Sequence, residues 1–140
     1  MDVFNRLAPF IQDFIYQNKW EELRGIQVAS CEVIFNSDDN LLLSSGTASG
    51  KTEAAFLPVL TELYEKPSRS VGVMYISPLK ALINDQFKRL EQLLVDSHIP
   101  VCKWHGDASQ TKKNELIKHP EGIIQITLSL IHISEPTRLG

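Results

Sequence analysis

The segment Ser45-Gly46-Thr47-Ala48-Ser49-Gly50-Lys51-Thr52 decides the fold of this chain. Its small residues allow successive backbone N–H groups to curve around a phosphate chain, and a helix that starts at its end adds partial positive charge. Lys51 is placed to supply a full charge to the β- and γ-phosphates, and the Thr52 hydroxyl is placed to bind Mg²⁺. The segment therefore predicts a phosphate-binding loop.

The loop departs from the usual pattern G-x-x-x-x-G-K-[ST] at its first position, where Ser45 replaces glycine. A glycine that is often found midway is Ala48 here. Both residues are small, so close approach to a phosphate remains possible. The alternative interpretation is a Gly/Ser turn that caps a helix and carries a solvated lysine.

Helical and strand patterns alternate around this loop. Helices are predicted over residues 3–16, 24–35, 51–65, from about 80 to 95, and 109–118 with Ser109 as the cap. Strands are predicted over residues 41–43, 71–76, 100–104 and 122–127. Strands separated by helices predict an α/β fold of the P-loop NTPase type, with a parallel sheet covered by helices on both faces.

Composition limits the class of protein. The 140 residues contain 14 Lys+Arg and 17 Asp+Glu, a net charge of −3, so contact with nucleic acid requires a local basic patch. The length predicts one domain.

No apolar run approaches the roughly 18–20 residues of a membrane span, and no signal peptide is visible. Cys31 and Cys102 are far apart in sequence, which predicts reduced thiols in a cytoplasmic protein.

Gln27 is a candidate for recognition of the nucleobase. A carboxamide can form paired hydrogen bonds with the N6/N7 edge of adenine, which favours ATP over GTP. In isolation, a glutamine on a helix would be an ordinary solvated residue. Its position upstream of the phosphate-binding loop favours the functional interpretation.

Two further segments predict contact with nucleic acid. Ser77-Pro78-Leu79-Lys80 follows a predicted strand and opens a helix, which suits a backbone phosphate. Trp104-His105-Gly106 follows the third predicted strand, where His105 and Gly106 can line a strand-binding surface and Trp104 can stack on a base. The alternatives are an ordinary strand-to-helix junction and a core or rim aromatic residue. A cluster formed by Lys112, Lys113, Lys118 and His119 is interpreted as a solvated helix face or as a second nucleic-acid contact.

The segments WEELRGIQ, SSGTASGKTEAAFLPVL, YISPLKALINDQF and WHGD, followed by GIIQIT, together resemble the start of a DEAD/DEAH-box helicase of superfamily 2. Within that group the chain is most similar to the large helicase-related proteins. The resemblance covers residues 1–127. It implies an ATP-driven motor that has two RecA-like domains and acts on DNA or RNA, of which this chain holds an incomplete first domain.

The resemblance also implies roles for particular residues. Lys51 and Thr52 bind the triphosphate and Mg²⁺ and serve catalysis, while Gln27 reads adenine. Pro78, Leu79 and Lys80 lie along the nucleic-acid backbone, with Ser77, His105 and Gly106 assigned to the same surface. The predicted ATP site comprises Gln27, Ser45, Gly46, Thr47, Ala48, Ser49, Gly50, Lys51, Thr52 and Glu53.

The resemblance stops near Thr127. Residues 128–138 read LSLIHISEPTR, which is identical to one translation of a common transposase-based sequencing adapter. Residues 128–140 are therefore expected to be a non-native tail. The sequence also contains no adjacent Asp-Glu pair, which such a helicase uses to hold Mg²⁺ and activate water. We expect the chain alone to hydrolyse ATP negligibly and to have marginal stability.

Two other interpretations remain open from the sequence. One is a different P-loop NTPase, such as a nucleotide kinase or a transport ATPase, and the other is a short non-catalytic protein that binds nucleotide or a partner. A kinase needs a set of lid arginines and an acceptor pocket, and a transport ATPase needs a signature loop.

Overall fold

The computed structural model describes residues 2–44, 50–77, 80–104 and 110–127, and the chain divides into two compact units. The first unit, Met1–Lys66, is helical in its described part. Its helices are α1 (Val3–Arg6), α2 (Pro9–Gln17), α3 (Gly25–Asn36) and α4 (Lys51–Glu65). The second unit, Pro67–Gly140, is α/β. Its elements are β1 (Val71–Ser77), α5 (Lys80–Leu94), β2 (Val101–Trp104), α6 (Gln110–Lys118) and β3 (Gly122–Thr127).

The single helix predicted over residues 3–16 is wrong, because the structure divides it into α1 and α2 at Leu7 and Ala8. Pro9 causes the break. A proline disfavours the helical conformation of the residue before it and fits the first position of a new helix. The Gln12 side chain bridges the break, since its Nε2 donates to the carbonyl oxygens of Phe4 and Leu7, each at 3.0 Å.

The strand predicted at Leu41–Leu43 is also wrong. These residues have no regular secondary structure, and Leu42 is 90% exposed rather than buried. A strand is stabilised by ladder hydrogen bonds with a neighbouring strand. In the described portion of the chain, ladder pairing joins β1, β2 and β3 only. Three leucines in a row therefore form an irregular segment without ladder pairing in the described residues.

The first unit has an apolar core that holds α2 against α4. Its fully buried side chains include Ile11, Leu57 and Leu60. At the surface of this unit, the Arg6 guanidinium donates to both carboxylate oxygens of Glu65, at 2.7 and 2.8 Å. The same guanidinium lies 4.4 Å from the centre of the Phe35 ring, so one side chain joins the ends of α1, α3 and α4.

The second unit contains a parallel sheet with the strand order β1-β3-β2, as predicted. The central strand β3 is buried from Ile123 to Ile126, and α5 packs against all three strands. Exposed and partly buried residues alternate along β1, where Met74 and Ile76 are 59% and 45% exposed. Within this unit, β3 is thus the strand that is covered most completely, and the parallel α/β sheet agrees with the predicted fold class.

Gln125 is a buried polar residue in this sheet. It is fully buried on β3, paired in register with Tyr75 of β1 and Lys103 of β2. Neither its amide oxygen nor its amide nitrogen has a hydrogen-bond partner. Leaving such a group unpaired costs free energy of folding.

Both cysteines are free thiols, as predicted. Cys31 lies in the core at 0% exposure, whereas Cys102 is only partly buried. None of the helices in the described ranges is long and apolar enough to cross a membrane.

Candidate nucleotide-binding site

The start of α4 presents the groups that an anion requires. The helix begins at Lys51, and the first intrahelical bond runs from the Ala54 N–H to the Gly50 carbonyl oxygen at 2.8 Å. In a helix that begins at Lys51, the N–H groups of the first turn point along the axis toward the N-terminal end, where the helix dipole adds partial positive charge. The prediction of a helix over residues 51–65 is confirmed at both ends.

Gly50 is required at this turn for two independent reasons. Its φ is +84° and its ψ is 25°, the left-handed conformation that side chains other than glycine rarely adopt. A Cβ atom at this position would also lie 2.6 Å from the Gln27 Nε2 and 3.3 Å from the Arg24 Cδ. The last residue of the loop is therefore packed directly against the start of α3.

Gln27 is buried rather than solvated, with 2% of its surface exposed. Its Oε1 accepts a hydrogen bond from the Arg24 N–H at 3.0 Å, and its Nε2 donates to the Gly50 carbonyl oxygen at 3.5 Å. A carboxamide offers two donors and two acceptor lone pairs, so these contacts leave one of each. The same contacts fix which end of the amide is the donor.

The remaining residues of the predicted ATP site fall into two sets, the first turn of α4 and the loop before it. Lys51 and Thr52 are partly exposed at the start of α4, and Glu53 is buried at 9% exposure in the same turn. A carboxylate in the first turn of a helix is stabilised by the helix dipole. Ser45, Gly46, Thr47, Ala48 and Ser49 lie outside the described residues, so their predicted role stays a prediction.

The residues predicted to contact nucleic acid are described only in part. Ser77 ends β1 with 2% of its surface exposed, and Lys80 is the first residue of α5. Pro78, Leu79, His105 and Gly106 lie outside the described residues.

Trp104 is partly buried at the end of β2, and the Lys113 ammonium lies 5.7 Å from the centre of its ring. The ring thus has a cationic neighbour from α6, which places one lysine of the predicted basic cluster beside an aromatic residue. In the described ranges, no group of three or more His, Cys, Asp or Glu side chains is arranged to hold a metal ion.

Sequence reasoning missed three residues that shape the site: Arg24, Ser30 and Pro58. The Arg24 N–H donates to Gln27, and the Arg24 Cδ lies 3.3 Å from the position that a Cβ atom on Gly50 would take. Ser30 donates a hydrogen bond to the Ala54 carbonyl oxygen at 2.5 Å, which joins α3 to α4. Pro58 lies inside α4 and was visible in the sequence as a residue unsuited to a helix interior.

Comparison with known proteins identifies the family of this chain. The model of the family "DEAD/DEAH box helicase" matches residues 24–139. The "ATP-dependent helicase Lhr-Core" of Saccharolobus solfataricus is 32% identical over 95% of this chain. The "Pre-mRNA-splicing factor brr2" of Schizosaccharomyces pombe is 31% identical over 66% of this chain. This chain spans only 16% and 5% of the lengths of those two proteins.

Solved helicase structures share the fold. The Mycobacterium smegmatis helicase Lhr, bound to ssDNA and AMP-PNP, superposes with a TM-score of 0.75 and 25% identity, covering 91% of this chain and 18% of that one. The DUF1998 helicase MrfA bound to DNA gives a TM-score of 0.78 and 21% identity, covering 92% and 18%. The family match favours the helicase interpretation over a nucleotide kinase or a transport ATPase. The chain belongs to the DEAD/DEAH box helicase family.

Proposed function

We propose that this chain is the ATP-binding part of the first RecA-like domain of an ATP-dependent helicase that acts on DNA or RNA. The observation that carries the proposal is the contact between Gln27 and Gly50, which joins a carboxamide suited to adenine to the last residue of the phosphate-binding loop. The relatives support it, because Lhr-Core is an ATP-dependent helicase and the solved structure of Lhr contains AMP-PNP.

The triphosphate would be held at the start of α4. The N–H groups of the first turn would contact the phosphates together with the loop that the sequence predicts at residues 45–49, and the Lys51 ammonium would add a full positive charge. The Thr52 hydroxyl would hold Mg²⁺, which neutralises charge on the phosphate oxygens when it is bound. Glu53 belongs to the same turn, where it is buried and supports the start of the helix.

Gln27 would read the base. After its contacts with Arg24 and Gly50, the amide has one donor and one acceptor left, which matches the N7 acceptor and the N6 donor of adenine. Guanine presents an O6 acceptor in place of the N6 donor. One of the two hydrogen bonds is then replaced by a contact between acceptors, so ATP is preferred over GTP.

Nucleic acid would bind along the carboxyl ends of β1 and β2. Ser77, Pro78, Leu79 and Lys80 would contact backbone phosphates, and His105 and Gly106 would extend the same surface. The DNA that is present in the solved MrfA and Lhr complexes supports this part of the proposal.

The 140 residues alone would bind nucleotide without turnover. They contain no adjacent Asp-Glu pair, and phosphoryl transfer needs carboxylates that hold the metal and orient water. A purified chain with Lys51-dependent ATP hydrolysis would contradict this statement.

Residues 1–127 would form the native part of the domain, and residues 128–140 would be a tail derived from a sequencing adapter. Sequencing the source locus from a library prepared without that adapter tests this boundary. Recovery of the same codons would overturn it, and residues 128–139, which the family match includes, would then belong to the domain.

The test of the nucleotide site is binding of a fluorescent, non-hydrolysable ATP analogue to the full-length protein that carries this segment. Lys51→Ala should weaken binding by about tenfold or more, because a charge-assisted contact contributes roughly 1.5–3 kcal/mol. Lys66→Ala is the matched control, since Lys66 is exposed at the opposite end of α4. Equal binding by wild type and by Lys51→Ala would refute the proposed site.

A further inference from the structure

Helix α4 has a backbone carbonyl that its own helix cannot satisfy in the usual way. Pro58 has no N–H, so it cannot donate to the carbonyl of Ala54 four residues earlier. Ala54 and Pro58 are both buried, which removes water as a ready substitute. An unpaired buried carbonyl lowers stability, so this position needs a donor from another element.

Ser30 supplies that donor from α3. Its Oγ–H donates to the Ala54 carbonyl oxygen at 2.5 Å, and Ser30 itself has no exposed surface. A serine in a helix interior commonly bonds to a carbonyl of its own helix. Here the hydroxyl crosses to α4 instead, so that the bond connects two helices.

The buried face of α3 is unusual for a helix with so many apolar residues. The buried residues of this helix are Gln27, Ser30 and Cys31, of which the first two are polar. Apolar residues are spread around the whole helix rather than along one stripe, and most of them are partly or fully exposed. Apolar burial alone therefore gives little preference for one rotation of α3 against α4.

Two polar links run side by side between these helices. Gln27 reaches the Gly50 carbonyl, and one turn further along both helices Ser30 reaches the Ala54 carbonyl. The first contact is long, at 3.5 Å, and the second is short, at 2.5 Å. The stronger link thus lies one turn away from the residue that would contact the nucleotide.

We propose that Ser30 is a positioning residue for nucleobase selection: by bonding to the carbonyl that Pro58 leaves without a helical donor, it fixes Gln27 relative to the phosphate-binding loop. This inference rests on the proposed function, in which Gln27 reads adenine. Without the Ser30 link, α3 can rotate or shift by a fraction of an ångström. The spare donor and acceptor of Gln27 then no longer meet the adenine edge together.

The test compares Ser30→Ala, Pro58→Ala and the double variant in the full-length protein. Steady-state hydrolysis of ATP and of GTP gives the selectivity, and amide hydrogen exchange gives the local stability of α4. Ser30→Ala should raise the KM for ATP by about 3- to 10-fold with a smaller change in kcat, because ground-state positioning is lost. The preference for ATP over GTP should fall by a similar factor.

The double variant separates positioning from stability. Pro58→Ala restores an N–H that can donate to the Ala54 carbonyl oxygen within α4. The amide-exchange protection of α4 should therefore recover in the double variant Ser30→Ala/Pro58→Ala. The connection between α3 and α4 remains broken, so nucleobase selectivity should stay low. Recovery of selectivity together with protection would overturn the proposal, since Ser30 would then act through stability alone.

Two further variants complete the design. Ser37→Ala is the matched control. The Ser37 hydroxyl, at the exposed end of α3, donates to the Val33 carbonyl oxygen of the same helix rather than to α4. Its removal should leave nucleobase selectivity intact. Gln27→Ala should abolish selectivity. If Gln27→Ala has no effect, base reading by Gln27 fails and the role of Ser30 falls with it. If Gln27→Ala abolishes selectivity and Ser30→Ala preserves it, only the role of Ser30 is refuted.

Discussion

Substitution of Gly50 by alanine tests the geometry of the site most directly. The backbone at this residue has φ +84°, and holding a side chain in that region costs about 1–3 kcal/mol. The new Cβ atom would also meet the Gln27 Nε2 at 2.6 Å. Gln27 is buried and bonded to the Arg24 N–H, so its amide can retreat only by losing that bond.

The two effects act on nucleotide binding by different routes. Backbone strain shifts the loop away from its binding conformation, and displacement of Gln27 removes hydrogen bonds to the base. Together they should weaken binding of an ATP analogue by about 2–4 kcal/mol, roughly 30- to 1,000-fold. The analogue is titrated against the full-length protein, with a GTP analogue in parallel to measure base preference.

Two reference variants make this experiment decisive. Gly25→Ala is the matched control, because a Cβ atom there has no neighbour within 4 Å, and affinity should stay within about twofold. In a Gln27→Ala background the clash disappears, so Gly50→Ala should cost only the strain. A Gly50→Ala variant that binds as wild type does, or that costs the same in both backgrounds, would refute the reasoning.

Three other predictions concern buried groups. Gln125→Met should increase amide-exchange protection of β3 by about 1–3 kcal/mol, since it removes two unpaired polar atoms; unchanged or lower protection would mean that the amide has a partner. Thr61→Val should reduce protection at the start of α2 by a similar amount, because the Thr61 hydroxyl accepts from the Ala8 N–H at 3.1 Å in a buried position; protection equal to wild type would contradict this. Burial, with a smaller contribution from Glu32, raises the pKa of the Cys31 thiol to about 11. Alkylation of Cys31 at pH 8 should therefore be much slower than that of Cys102 and should accelerate as the pH approaches 11, which mass spectrometry of the labelled peptides can measure.

The parts of the fold that the sequence predicted well depend on local signals. Helix α4 and strand β3 have the predicted bounds, because a glycine-rich turn, a helical pattern and an apolar run each mark them locally. The division between α1 and α2 also has a local signal, Pro9, which the helical periodicity of residues 3–16 masks. The strand prediction for Leu41–Leu43 is wrong for a different reason. A strand forms only beside a partner strand, and the sequence of one segment does not show whether such a partner exists.

The sequence predicts the residue types of the proposed site but not their contacts. The spacing from Gly50 to Thr52 predicts phosphate binding, and the carboxamide of Gln27 predicts base recognition from its chemistry alone. The burial of Gln27 against Gly50 depends on how two helices pack. A proline in α4 indicates an unsatisfied carbonyl, but the sequence cannot show that Ser30 is its donor.

Helix α4 carries a continuous line of polar contacts along one face, from Gly50 to Thr61. The positions involved are Gly50, Ala54, Leu57 and Thr61, whose spacing of four, three and four residues places them on one helix face. Gln27 and Ser30 donate to the first two carbonyls, the Thr61 hydroxyl donates to the third, and the Ala8 N–H donates to that hydroxyl. An apolar face tolerates small slippage, whereas the three bonds that reach α4 from Gln27, Ser30 and Ala8 are lost when the helix moves, at a cost of about 1–3 kcal/mol per buried group. The polar line therefore fixes the register of α4 against α2 and α3, so that the start of the helix, where the phosphates would bind, and the amide of Gln27 are held as one unit.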